Sequence, residues 1–306
     1  MLAYAARRIA LTIPVLFGVA TLVFSLIHLV PGDPAQAMLG ESASAADVAD
    51  LRARLGLDRP LLTQYGHYLS GLAHGDLGTS FRYNTPVRRE IGARMGRTFE
   101  LAVSAMAVAI LIALPLGVIG ALFRGRAVDQ VAMTFSLVGV SMPNFWLGPL
   151  LAIVFALDLG WLPVSGTGTW AHLVLPSATL GAALAAILAR MTRASLVEEL
   201  RELYVLAARA RGLSRTRAVV AHALRNSLIP VVTIIGLQFG AVLTGTIITE
   251  TIFAWPGVGR LLIQAITFRD YPLVQGCILL IAVTYVVMNL LVDLAYGWLD
   301  PRIRYE

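Results

Sequence analysis

Lysine is absent from this 306-residue chain, and all 24 of its basic residues are arginine. That excludes a GxxxxGK(S/T) nucleotide loop, whose lysine reaches the phosphates. Cysteine is almost as scarce. Cys277 stands alone, so no disulfide can close within the chain and no cysteine-based zinc spacing exists. The five histidines, His28, His67, His74, His172 and His222, are scattered without histidine–carboxylate spacing, and each reads as an interface or packing residue. Charge is thin altogether: 14% of residues carry one, where a soluble domain carries about a quarter, and 58% are hydrophobic. A soluble α/β enzyme is excluded. What is present is the composition of a polytopic membrane protein.

A helix needs about 20 apolar residues to cross a bilayer core. Six uncharged runs qualify: Ile9–Val30, Leu101–Phe123, Val131–Leu157, Leu173–Ala189, Asn226–Thr249 and Tyr271–Val292. The first is read as a retained span, because its apolar core is too long for a signal peptide and no small-x-small cleavage pattern follows. Met142-Pro143 is expected to bend the third. The expected fold class is all-α, a single six-span membrane domain over residues 1–306.

Arginine fixes the orientation. Arg7, Arg8, Arg124, Arg126, eight arginines from Arg190 to Arg225, and Arg302 and Arg304 fall on one side, which the positive-inside rule makes cytoplasmic. Both termini are then inside. The net charge of +6 has its cause there, and no nucleic-acid partner is expected. Residues 31–97 form the external segment, in which Ala43–Leu55 and Leu61–Leu72 read as two short amphipathic helices and Gly75-Asp-Leu-Gly-Thr-Ser80 as turn chemistry. That segment is either a cap on the bundle or a docking surface. Trp161, Trp170 and Trp255 fall at interface depth.

Residues 190–225 form a basic cytoplasmic loop. Met191–Ala210 favours helix, Gly212 is a natural stop, and Ser214 starts a second short helix. Small Ala207, Ala208 and Ala210 leave a surface that another protein can approach closely. The plainer alternative is an ordinary basic loop beside anionic lipid.

This loop resembles the EAA loop of ABC importer permeases, whose pattern is Glu-Ala-Ala, three residues, Gly, nine residues, Ile-x-Leu-Pro. Ala207, Ala208 and Gly212 match at that spacing; Leu206 replaces the glutamate, and Arg225 the proline. His222-Ala-Leu-Arg-Asn-Ser-Leu-Ile-Pro230 is similar to the peptide and nickel branch of the family. So are Pro31-Gly-Asp-Pro34, Gly75–Ser80, Glu250–Arg260, Arg269-Asp-Tyr-Pro272 and the closing Asp293–Arg304. Leu159-Gly-Trp-Leu-Pro163 and Leu175-Pro-Ser-x-Thr-Leu-Gly-Ala-Ala resemble the glutathione members of that branch most.

The resemblance implies a type I importer permease in a bacterial inner membrane, not an enzyme. It implies a second homologous permease, two ATPase subunits that bind ATP and magnesium, an external or periplasmic solute-binding protein, and surrounding lipid. This chain itself would hold no cofactor and no metal. The coupling residues that it implies are Leu203, Tyr204, Ala207, Ala208, Arg209, Ala210, Arg211 and Gly212. Polar residues within spans are costly and often face an interior. Ser141, Asn144, Gln238, Thr244, Thr246 and Asn289 are thus candidates for the pathway, with helix–helix hydrogen bonding as the alternative. Glu250, Trp255, Arg269 and Asp270 are candidates for outer docking. The implied solute is a peptide such as a dipeptide, an oligopeptide or glutathione; a nickel chelate or a sugar is the alternative. An ion-coupled transporter would need carboxylates well inside the spans, and none is there. An intramembrane protease would need a partner for Ser141, and no histidine or acid stands near it.

Overall fold

The computed structural model describes residues 2–29, 32–40 and 43–299. Pro31, the run from Asp300, and the side chains of Thr244 and Asp293 lie outside the described residues. Among the described residues the regular structure is helical, and its one β-bridge is the isolated pair Thr79 and Pro86. Five straight helices are long and apolar enough to cross a membrane: Ala6–Leu29, Val87–Leu122, Ala171–Glu199, Thr216–Leu243 and Tyr271–Val292. A sixth crossing is broken. Ala127–Gly139 and Asn144–Asp158 meet at 100°.

The break falls at Met142-Pro143, where a bend in Val131–Leu157 is expected, and has the expected cause. Pro143 cannot donate a backbone N–H, and its ring drives the preceding residue out of helical space. Met142 is accordingly extended (φ −87°, ψ 114°), and Pro143 opens the next helix by accepting from Trp146 N–H (2.9 Å). The other departures are of length. The second spanning helix begins at Val87 and runs 36 residues, about 54 Å at 1.5 Å per residue. Its first turns therefore lie within what had been read as external segment. The fourth continues ten residues past Ala189, and the fifth starts ten residues before Asn226. The loop of 190–225 is mostly the ends of these two helices.

The chain divides into two compact units. One is Leu2–Thr98 with Pro256–Val287. It holds α1 (Leu2–Leu29), α2 (Pro34–Leu39), α3 (Ala45–Arg54), α4 (Leu61–Ala73), the start of α5 (Val87–Leu122), α13 (Val258–Thr267) and the first part of α14 (Tyr271–Leu299). The Pro-Gly-Asp-Pro motif is a helix start: Asp33 Oδ1 accepts from Ala35 N–H (3.1 Å), and Pro34 occupies the first helical position. Ser44 caps α3 in the same way (3.2 Å). Ala35, Met38, Val48 and Leu51 form a small core beneath α2 and α3. α4 lies along the outer half of α1, where Tyr65 Oη meets Thr21 Oγ1 at 2.6 Å and Phe24 packs on Tyr65 and Tyr68.

The other unit is Phe99–Trp255 with the chain from Met288. It holds the rest of α5, α6 (Ala127–Ser141), α7 (Asn144–Ala152), α8 (Ala171–Glu199), α9 (Leu203–Ala210), α10 (Arg215–Ala218), α11 (Leu224–Gly245) and α12 (Ile247–Ile252). α8 is its hub, with 56% of its most apolar window buried against 33% or less in the other straight spans. Ala102, Ala109 and Ala113 of α5 meet Leu184, Leu188 and Ala189 of α8 and Val231 of α11. Lipid offers no hydrophobic drive for helix association, so close fit must supply it. Gly236 shows how close: a Cβ there would lie 2.8 Å from Val292 Cγ2.

Candidate functional site

The coupling candidates fall on α9 and the turn after it, which is largely exposed. Of its eight residues only Val205 is buried, at 1% exposure. Val205 seats in a pocket made by Ala121 near the end of α5, Leu196 near the end of α8, and Ala218 and Ala223 just beyond α9. Leu203 is 80% exposed and Leu206 48%. Ala207, Arg209, Ala210, Arg211 and Gly212 are also exposed, and Ala208 is half-buried. A short helix that turns two leucines and a flat alanine surface to the outside, flanked by two arginines, has the make-up of a docking surface.

The helix stops where the sequence reading put it, for a definable reason. Gly212 has φ +91°, a left-handed value that costs glycine nothing. Its N–H bonds to Arg209 O (3.0 Å) and Leu213 N–H reaches back to Ala208 O (3.3 Å). That pair of bonds is a Schellman cap. A Cβ on Gly212 would meet nothing within 4 Å, so backbone conformation alone selects glycine within this chain. Ser214 then caps α10, accepting from Arg217 N–H at 3.4 Å.

A polar clip that sequence reasoning missed holds α9 in place. The Tyr204 hydroxyl donates to Glu199 at the end of α8 and accepts from Asn226 Nδ2 at the start of α11 (2.9 Å). Burial, and then the hydrogen bond to Glu199, push the Tyr204 pKa up, so the phenol stays protonated and keeps donating. The only sequence signal was Asn226 within the His-x-Leu-Arg-Asn run. A second missed pair lies one turn deeper. Arg193 of α8 grips Asp129 of α6 through two parallel bonds (2.5 and 2.7 Å), while Gly125 N–H donates to the same carboxylate (2.9 Å).

The pathway candidates are spread out. Ser141 and Asn144 flank the break between α6 and α7, Ser141 exposed and donating to Leu137 O (2.9 Å), Asn144 half-buried. Thr246 is buried at the junction of α11 and α12, and Asn289 is half-buried on α14 (Tyr271–Leu299). Gln238 keeps a buried Nε2 without a partner among the described residues. No hydrogen bond among the described residues links these candidates to one another.

Three of the four outer docking candidates are inside rather than on a surface. Glu250 and Asp270 are 0% exposed and Trp255 2%. Trp255 packs on Leu101, Ala105 and Leu180. Asp270 caps α14 by accepting from Leu273 N–H (3.2 Å), and also accepts from Ser80 Oγ (2.5 Å) and Arg82 N–H (3.0 Å). Arg269 alone is exposed, its guanidinium on Ala37 O (3.3 Å). Charged residues at a span end read as surface; Asp270 instead staples two turns together.

Comparison with known proteins agrees with this architecture. Residues 113–305 match the family described as binding-protein-dependent transport system inner membrane component, and residues 1–102 match its N-terminal companion. A dipeptide transport system permease protein, DppB, of Alkalihalophilus pseudofirmus is 46% identical, with all of both chains covered. A glutathione transport system permease protein, GsiC, of Pectobacterium atrosepticum is 47% identical, again over the whole of both chains. Among solved structures, an inward-facing MetNI methionine ABC transporter matches with TM-score 0.54 at 17% identity, over 69% of this chain and 96% of that one. A histidine-bound amino acid ABC transporter matches with TM-score 0.53 at 18% identity, over 70% and 94%. At that identity these two carry the fold alone.

Proposed function

The chain belongs to the family of binding-protein-dependent transport system inner membrane components, and from there we propose that it is one of two permease subunits that together form a pathway for peptides. Its relatives over the whole length are named for dipeptide and glutathione transport, and a short peptide is the solute class that this favours. The energy comes from elsewhere. Without lysine the chain lacks the phosphate-cradling loop, so ATP and magnesium bind on separate ATPase subunits, and a solute-binding protein delivers the peptide from outside.

The observation that carries this reading is α9. It projects exposed Leu203, Leu206 and Ala207 while Val205, its one buried side chain, engages the ends of α5 and α8. An ATPase groove that covers Leu203 and Leu206 would pass its closure through Val205 to the bundle, a rigid-body switch of the ordinary kind. Ala207→Arg and Leu203→Asp change only exposed positions. Both variants are expected to insert normally, yet to lose peptide uptake and to release the ATPase subunits on purification. Full uptake with retained ATPases in both variants would overturn the role given to α9.

A further inference from the structure

The unit of Leu2–Thr98 with Pro256–Val287 contains a cavity of about 420 Å³ that the transport role does not use. Its inner wall is the outer end of α1, with Phe24, Ile27 and His28. α4 and the turn before it supply Arg59, His67 and Tyr68, and Met38, Leu57 and Tyr271 add apolar surface. Height in the membrane follows from α4. Tyr65 of α4 touches Thr21, two turns inside the end of α1, and Leu61 and Leu62 at the start of α4 are 55% and 84% exposed. A helix with an aromatic face on a span and leucines exposed beside it lies in the outer interface of the bilayer. The cavity therefore opens where lipid headgroups sit.

Two of its groups are open to a ligand, a buried phenol and an exposed guanidinium. The Tyr68 hydroxyl is buried and has no hydrogen-bond partner among the described residues. Burial pushes its pKa up to about 12, so it is a neutral donor at any physiological pH. Arg59 has no carboxylate within salt-bridge distance among the described residues. One of its N–H groups donates to His67 Nε2 (2.8 Å), which leaves the rest of the guanidinium fork open. The neighbouring polar groups are already engaged: Gln64 donates to Leu57 O (3.2 Å) and Arg59 O (2.8 Å) and meets His28 Nε2 at 3.2 Å, Arg54 pairs with Asp50 (2.9 Å), and the Asp76 carboxylate, which also lines the cavity, accepts from Gly78 N–H (2.9 Å). An open guanidinium and a phenolic donor above an apolar wall match a phosphate that carries acyl chains.

We infer that this cavity holds the headgroup phosphate of an anionic phospholipid of the outer leaflet, with Arg59 and Tyr68 on the phosphate and the acyl chains against α1. The same phosphate chemistry could reach the site as free phosphate, and the test separates the two sources. The full chain, purified in detergent and stripped of lipid, is titrated with short-chain phosphatidylglycerol, with short-chain phosphatidylcholine and with inorganic phosphate, and thermal unfolding is followed. A ligand that binds only the folded state raises the melting temperature with its concentration. Phosphatidylglycerol is expected to raise it, phosphatidylcholine to do so at about tenfold higher concentration, and phosphate not at all. Arg59→Gln and Tyr68→Phe, each close to the parent in shape, should lose most of the phosphatidylglycerol effect. As a second readout, native mass spectrometry of protein from membranes should count fewer retained anionic lipids in those variants. An equal effect of the two lipids, an undiminished effect in both variants, or a response to phosphate alone would overturn the proposal.

Discussion

Ser80 and Asp270, 190 residues apart, meet at 2.5 Å, and the bond ties two turn motifs into one structure. Arg82 N–H adds a second bond to the same oxygen at 3.0 Å, and Leu273 N–H occupies the other. The Gly75–Ser80 and Arg269–Pro272 motifs are halves of one staple, with the bridge between Thr79 and Pro86 holding the first half in shape.

Asp270→Asn should therefore be costly despite its small change in volume. The amide nitrogen cannot accept, so one oxygen must serve three donors, and hydrogen bonds to a charged group are worth about 1.5–3 kcal/mol each. A loss of about 2–3 kcal/mol is expected for Asp270→Asn and about 1–2 kcal/mol for Ser80→Ala, read by denaturant or thermal unfolding of the detergent-solubilised chain. The double variant should lose less than the sum, because the two residues share a bond. Strict additivity would show that they act separately.

Asp129→Asn should destabilise the cytoplasmic ends of α6 and α8 by about 2 kcal/mol, the cost of leaving the half-buried Arg193 without the counter-charge it grips. Replacing both at once, Asp129→Leu with Arg193→Leu, should recover much of that loss, since no unpaired charge remains. The comparison of the single and double variants by thermal unfolding checks the claim, and a double variant worse than either single one would refute it.

Tyr204→Phe keeps the ring but removes the clip to Glu199 and Asn226. Each lost bond is worth about 1 kcal/mol, too little to unfold the chain. Faster hydrogen exchange in 203–210 is the expected result, with the exchange of 175–190 unchanged. Asn226→Ala should give the same pattern more weakly.

Gly212→Ala should cost about 1 kcal/mol through backbone strain alone, since the added methyl has free space. Gly212→Asn, which tolerates the left-handed region better, should cost less. If both variants transport at the parental rate and differ in stability as stated, the glycine serves the cap. A transport defect larger than the stability loss would place Gly212 in contact with a partner.

Much of this was legible in the sequence. Six apolar runs gave the spans because a bilayer imposes length and apolarity with little room for exception. Pro143 announced the break in the third span, Gly212 the end of α9 and Ser214 the start of α10, because these effects are local to the backbone; the interruption between α8 and α9 at residues 200–202, within the helix read over Met191–Ala210, was not foreseen. The Ser80–Asp270 staple was not legible: each residue sits in an ordinary turn sequence, and only the fold brings them together. Val205 was hidden for a similar reason. In a stretch of leucine and alanine, nothing local says which residue turns inward. Glu250 and Asp270 misled because charge at the end of a span reads as surface; Asp270 is stable inside because Ser80 Oγ and the N–H groups of Arg82 and Leu273 donate to its carboxylate.

Val205 sets a mechanical limit on the protein. α9 is moored by one apolar peg and one polar clip, so it can swivel about its seat but has little purchase against sliding. A load applied along its axis would fall on the Tyr204 clip, whereas a load applied across it would pass through the peg to the ends of α5 and α8 together.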